Sequence, residues 1–250
     1  MKAMILAAGL GTRLRPLTND RPKALVTVAG HTLLEITLAR LRTFGIHEVI
    51  VNAHHFAGTI ADYLKANRSF GMKIEVSREE LLLDTGGGLK KAAPFFLDSS
   101  SDVEEPFLVH NVDVISTIDL ARMARFHTEN AALVTLAVQD RATSRQLLFG
   151  PQNLLCGRRA GLDAEAEWAR PVAEPQVLAF SGIHVLSPSI FAKMNEQGAF
   201  SIIAAYLHLA ARGEKIVAFR TDDCYWRDLG RPQNILEAAQ DLAMGKFAIV

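Results

Sequence analysis

Arg13, Arg15 and Lys23 share one short stretch with Gly9, Gly11 and Thr12, directly after an apolar run from Ala3 to Ala8. Such a run makes one buried strand and is far too short to span a membrane. Two glycines after a strand let the chain turn tightly and bring bare N–H groups close to a ligand. Arg13 offers a planar fork of donors suited to phosphate oxygens, and Lys23 a movable point charge. The combination points to a polyphosphate site. For G-x-G alone, a tight turn with solvated arginines explains the residues equally well.

Two familiar glycine loops are excluded. Leu14 stands where a dinucleotide fingerprint needs its third small residue, which disfavours an NAD-dependent dehydrogenase. No G-K-[ST] closes the loop, so it is not a Walker A motif.

The remaining match is much longer. LAAGLGTRLRPLTNDRPKAL resembles, almost position for position, the opening signature of the sugar-1-phosphate nucleotidylyltransferases, also called nucleotide-sugar pyrophosphorylases. That family reads roughly L-A-A-G-x-G-T-R-L-x-P-L-T and then P-K-x-L. The resemblance places Leu6, Ala8, Gly9, Gly11, Thr12, Arg13 and Lys23 on the nucleotide. Among members, the compact length and the D-T-G-G-G segment look most like single-domain muramate-1-phosphate uridylyltransferases and mannose-1-phosphate guanylyltransferases.

The elements that must position these groups follow from periodicity. Leu33, Leu34, Ile36, Leu38 and Leu41 recur at helical spacing, with Gly45 where a helix C′ glycine belongs. His47–Asn52 reads as a second strand, residues 57–66 as a helix and Met72–Val76 as a third strand. Phe107–Asn111 is a fourth strand, Asp119–His127 a helix and Ala131–Val138 a fifth strand. From Gln139 to Arg170 the pattern weakens into short strands, a hairpin and loops. A strand from Val177 to Leu186, helices at Pro188–Met194 and Ser201–Ala211, a strand at Lys215–Phe219 and a helix from near Pro232 complete the chain. The βαβα order implies an α/β fold, Rossmann-like, three-layer α/β/α with a mostly parallel mixed central sheet. Ligands in such sheets bind beyond the C-terminal ends of the strands, where the glycine loop lies. One domain is expected over 1–250, with a nucleotide-binding half at about 1–138 and a sugar-binding half at about 139–250.

Other candidate residues take their meaning from this frame. Asp84-Thr85-Gly86-Gly87-Gly88 is either a flexible turn or a helix N-terminus offering N–H groups. The resemblance favours the second reading and places Thr85 and Gly87 on the nucleotide. Asp113 follows the fourth strand, where the family holds a metal-binding aspartate after glycine; here Val112 replaces that glycine. Locally, Asp113 could simply cap a turn. Trp226-Arg227-Asp228-Leu229-Gly230 matches the family's W-x-D-x-G and makes Asp228 the second metal ligand, although a plain helix cap also fits. Glu174 sits where many members have Glu-Lys-Pro and is expected on the sugar, but the lysine is missing. Arg145 and Arg170 are the nearest substitutes for it. Gly182, in FSGIHVL, resembles a sugar-site glycine, or marks a bulge.

The resemblance implies a Mg²⁺-dependent reaction of a nucleoside triphosphate with a sugar 1-phosphate, giving a nucleotide sugar and pyrophosphate. Arg13, Lys23 and Asp113 are the expected catalytic residues, and UTP is weakly favoured. A regulatory relative that binds nucleotide sugar with little catalysis, or a cytidylyltransferase acting on a phosphorylated alcohol, would share the opening loop. With 27 basic and 27 acidic residues there is no basic excess for nucleic acid. At 49% hydrophobic and 22% charged residues, the chain is a globular protein with a substantial core. Only Cys156 and Cys224 are present, which suits reduced thiols in a cytoplasm and no disulfide framework. No membrane anchor is expected, no hexapeptide repeats announce a further β-helix, and homo-oligomerisation stays open.

Overall fold

The computed structural model describes residues 1–97, 105–161 and 164–249. In chain order the strands are β1 (Ala3–Leu6), β2 (Thr27–Val28), β3 (His31–Thr32), β4 (Glu48–Ala53), β5 (Lys73–Arg78), β6 (Phe107–Asn111) and β7 (Val114–Ser116). They continue as β8 (Val134–Gln139), β9 (Arg145–Phe149), β10 (Leu155–Ala160), β11 (Glu167–Trp168), β12 (Gln176–Leu186), β13 (Ile216–Arg220) and β14 (Trp226–Asp228). The helices are α1 (Leu33–Thr43), α2 (Ala57–Ala66), α3 (Asp84–Lys91), α4 (Ala93–Leu97), α5 (Leu120–Glu129), α6 (Ile190–Lys193), α7 (Ile202–Ala211) and α8 (Pro232–Ala243). Most strands form a mixed sheet with flanking helices, of the Rossmann-like α/β class that the sequence led us to expect, while β2–β3 and β7–β14 are separate two-stranded pairs. Two compact units interleave along the chain. One comprises Met1–Asp84, Val109–Ile118 and Cys224–Val250, the other Thr85–Leu108 and Asp119–Asp223.

In the first unit, β1, β4 and β5 pair in parallel, with Ala3 opposite Val49 and Val49 opposite Ile74. All four residues of β1 are buried, which is why AMIL reads as an unbroken apolar run. Helix α1 starts at Thr32, whose hydroxyl accepts the Glu35 N–H at 3.0 Å. It ends in a Schellman motif: the Gly45 N–H donates to Arg42 O at 3.0 Å, and the Ile46 N–H to Leu41 O at 3.1 Å. Gly45 holds φ at 72°, the left-handed value this cap requires. Strands β7 and β14, too short to announce themselves in sequence, pair antiparallel with Asp228 opposite Val114.

In the second unit the order is β11-β10-β9-β12-β8-β13. Only β8 and β13 run parallel; the other neighbours are antiparallel. The weakly patterned stretch from Gln139 to Arg170 becomes the β9–β10–β11 meander, with residues 162 and 163 outside the described residues. Strand β8 begins later than its apolar run, because Ala131 takes φ 44° and the Ala132 N–H returns to His127 O. Among the described residues, no helix is long and apolar enough to cross a membrane.

Candidate active site

The glycine loop leaves β1 at Ala7 and enters a 3-10 turn over Thr12–Leu14. Gly11 caps that turn at φ 63°. A Cβ there would sit 3.0 Å from Thr18 Cγ2 and 3.2 Å from Lys23 Cβ, so dihedral and space both call for glycine. The Thr18 hydroxyl donates to Gly11 O at 2.9 Å, closing the loop on itself. Leu14 is fully buried, so the residue that breaks the dinucleotide fingerprint anchors the turn to the core. Leu6 and Ala8 are buried, while Gly9, Thr12, Arg13 and Arg15 are exposed or nearly so.

Lys23 Nζ lies 2.8 Å from Asp113 Oδ2, with side-chain exposures of 15% and 9%. Two backbone bonds set Asp113 here. The Val112 N–H donates to Leu6 O at 3.2 Å, and the Leu229 N–H donates to Asp113 O at 2.7 Å. Val112 is itself buried at 1% exposure, so the side chain standing in place of the family's glycine packs into the interior. Asp113 is thus held against Lys23 in an ion pair.

Asp228 ends β14. Its Oδ1 accepts the Gly230 N–H at 2.5 Å, and its carbonyl accepts from Asn234 Nδ2 at 2.6 Å. Helix α8 takes Arg231 as its N-cap residue, without a side-chain cap, so Asp228 is not the helix cap that the local sequence also allowed. A Cβ on Gly230 would fall 2.7 Å from both Arg13 Nη2 and Asp228 Oδ1. The guanidinium and the carboxylate therefore converge over one glycine. The sequence shows this Gly230 only as a motif letter; its lack of a side chain makes room for Arg13.

Strand β14 is fastened to α8 by charge. Arg227 Nη2 donates to Asp241 Oδ2 at 2.6 Å, Arg227 Nη1 pairs with Glu237, and Lys246 Nζ reaches Asp241 Oδ1 at 2.7 Å. The Tyr225 hydroxyl donates to Asp241 Oδ2 at 2.9 Å. Lys246 first, with Tyr225 and Arg227 behind it, holds the Asp241 carboxyl down at about 2 against the opposing effect of burial.

In the second unit, the three glycines lie inside α3 rather than in a turn. Gly86 donates its N–H to Phe200 O at 2.9 Å, and a Cβ there would come within 2.3 Å of the Phe200 ring. The Thr85 hydroxyl accepts the Ile202 N–H at 3.0 Å and so caps α7, whose own N-cap residue Ser201 makes no such bond. Gly87 is buried. Arg145 and Glu174 are exposed, and among the described residues no hydrogen bond or ion pair engages either side-chain charge. Arg170 spends Nη2 on Glu214 O at 3.2 Å. Gly182 takes φ 75° where β12 slips register against β8, so the bulge reading of that glycine is realised.

The loop, the Lys23–Asp113 pair and the convergence over Gly230 belong to one compact unit. A sequence profile of the Nucleotidyl transferase family matches residues 2–245. The chain belongs to that family. It is therefore an enzyme of the nucleotidyltransferase class. An N-acetylmuramate alpha-1-phosphate uridylyltransferase of Caulobacter vibrioides is 34% identical over 250 aligned residues, covering 96% of each chain. A mannose-1-phosphate guanylyltransferase of Mycobacterium tuberculosis is 29% identical over 97% of this chain, which spans only 65% of that protein. Among solved structures, a putative glucose-1-phosphate thymidylyltransferase from Bacillus anthracis superposes with a TM-score of 0.78 at 18% identity, covering 96% of each chain. That likeness concerns the nucleotidyltransferase fold alone.

Proposed function

We propose that this nucleotidyltransferase joins a nucleoside triphosphate, with UTP preferred, to a sugar 1-phosphate and releases pyrophosphate. The observation that carries the reading is the gathering of Arg13, Lys23, Asp113 and Asp228 in one unit built from three separate chain stretches. A sugar-phosphate oxygen attacks the α-phosphorus and pyrophosphate departs. The attacking monoester has a second pKa of about 6, so it is mostly dianionic near neutrality and needs no dedicated base. Repulsion between two polyanions is the obstacle, and positioning with fixed positive charge is the remedy. Arg13 stabilises charge developing on the α-phosphate and pyrophosphate, and Lys23 holds phosphate oxygens.

The donor set suits Mg²⁺. Asp113 commits Oδ2 to Lys23 and Asp228 commits Oδ1 to a backbone N–H, which leaves each a second hard oxygen. Among the described residues, no three His, Cys, Asp or Glu side chains cluster as a metal cage. Two carboxylates completed by phosphate oxygens and water are the usual magnesium arrangement. Bound there, the ion would neutralise phosphate charge.

In this reading the loop residues Leu6 to Thr12, with Thr85 and Gly87, serve the nucleotide. Glu174, Gly182 and Arg145 serve the sugar phosphate, with Arg145 replacing the missing lysine. The preference for UTP rests on the full-length likeness to a uridylyltransferase. A cytoplasmic site of action follows from the triphosphate supply. The test is pyrophosphate release with Mg²⁺ across the common nucleoside triphosphates and several sugar 1-phosphates, with Asp113→Ala as the blank. Release that needs both substrates and disappears in the blank supports the reading. Silence across the grid overturns it.

A further inference from the structure

Asn52 and Glu79 are buried polar residues that belong to none of the motifs above, at 2% and 4% exposure. They form a chain of hydrogen bonds inside the first unit. The Ala7 N–H donates to Asn52 Oδ1 at 2.7 Å. Asn52 Nδ2 donates to Glu79 Oε1 at 2.7 Å. The Leu83 N–H donates to Glu79 Oε2 at 3.0 Å. Ala7 is the first residue beyond β1, two before Gly9, and Leu83 is the residue before α3 opens at Asp84. The backbone at Glu79 is fixed too, with its N–H on Ala53 O at 2.8 Å and its carbonyl beside His54 Nδ1 at 2.8 Å.

Burying a carboxylate is costly unless donors or a cation compensate. Among the described residues no lysine or arginine pairs with Glu79; an amide and a backbone N–H take that role. The span it closes is otherwise exposed, with Leu81 at 76% and Leu82 at 39%. A carboxyl group kept in the interior, with one donor on each oxygen, has a positional use. We infer that Asn52 and Glu79 are positioning residues that tie the glycine-loop entry at Ala7 to the segment ending at Leu83, all within the first unit, and so set the glycine loop for nucleotide binding. This rests on the functional reading above for the ligand, though not for the relay.

Donor and acceptor chemistry makes the relay directional. A carboxylate at position 79 offers two acceptors to two donors, whereas an amide offers one acceptor and sets a donor against a donor. Glu79→Gln therefore leaves one buried N–H unmet, and Asn52→Asp sets two carboxylates face to face. The double substitution restores the match with its polarity reversed. The new carboxylate at position 52 would accept from the Ala7 N–H and from the new amide at position 79. The oxygen of that amide would accept from the Leu83 N–H.

The experiment is equilibrium UTP binding and steady-state kinetics for wild type, N52D, E79Q and N52D/E79Q, with amide hydrogen exchange at Ala7 and Leu83. Each single substitution should weaken UTP binding and raise its KM about tenfold or more, with kcat changed less. The double should return close to wild type, the non-additivity expected of residues in one network. A double variant no better than the worse single overturns the inference, as do singles within about twofold of wild type. If the wild-type enzyme binds no nucleotide, the functional reading falls. The relay is then judged by amide exchange alone: faster at Ala7 and Leu83 in the singles and slow again in the double if it exists, unchanged in the singles if it does not.

Discussion

The Arg13 guanidinium occupies the volume that a side chain at position 230 would need. A Cβ on Gly230 would meet Arg13 Nη2 at 2.7 Å and Cζ at 3.2 Å, although the two residues are separated by most of the chain. Arg13 is exposed and its tip can swing aside, so crowding there disturbs chemistry more than folding. Gly230→Ala should lower kcat by about 10²–10³, as removal of a transition-state donor does, and so mimic Arg13→Ala. Its melting temperature should stay near that of the wild type. Turnover and melting measured on the same preparation check both halves.

The Lys23–Asp113 pair gives a stability test that is separate from activity. Lys23→Met strands a carboxylate at 9% side-chain exposure. Breaking a fully buried pair costs about 3–5 kcal/mol; partial exposure here reduces the expected loss to about 1–3 kcal/mol. Adding Asp113→Leu should recover most of it, because no unpaired charge then remains. Urea unfolding of the single and double variants reads the difference, and both should be inactive.

Gly86→Ala should reverse the usual sign of a helical substitution. Replacing glycine by alanine inside a helix ordinarily stabilises by about 0.5–1 kcal/mol. At position 86 the new methyl would stand 2.3 Å from the Phe200 ring and 2.9 Å from its carbonyl. Overpacking of that kind costs about 1–3 kcal/mol, so the variant should melt below wild type. Combining it with Phe200→Ala should relieve only the ring component, since the backbone carbonyl stays where it is.

Acid should destabilise the fold well before its carboxylates titrate. Burial pushes His110 and His127 down to about 4, and both nitrogens of His127 are engaged, by Thr135 Oγ1 and Ser187 Oγ at 3.0 Å each. Unfolded, each titrates near its ordinary value of about 6.5. Between those values the unfolded chain binds protons that the folded chain refuses. The stabilisation is complete above about 6.5 and is lost as pH falls toward about 4. Urea midpoints should fall steeply over that window, and His127→Gln should flatten the slope. A wild-type midpoint that does not move between neutral pH and about pH 4.5 would contradict this.

Where a signal was periodic and local, the sequence revealed the element closely. Helix α2 spans Ala57–Ala66 and β6 spans Phe107–Asn111, the bounds the pattern predicts. Pairing at long range was not legible. Strands β7 and β14 have three residues each and exist through one another, although more than a hundred residues part them. The glycine triplet illustrates a different limit. Its composition leaves a turn and a helix N-terminus both open; the resemblance favours the helix, and the chain is helical there, with Phe200 against Gly86. Asn52 and Glu79 carry no periodic signal at all, because a buried donor–acceptor match depends on the packed interior. The motif letters Arg13, Lys23, Asp113 and Asp228 were visible from the start; the reason Gly230 must be glycine was not.

The first unit is threaded from three stretches, and the last begins only at Cys224. A ribosome therefore makes Arg13 more than 200 residues before its counterpart over Gly230. Until then the emerging polypeptide carries the Arg13 loop without Asp228. Under the proposed function, unfinished chains can meet the cell's triphosphates without spending them, and the order of synthesis acts as a safety catch.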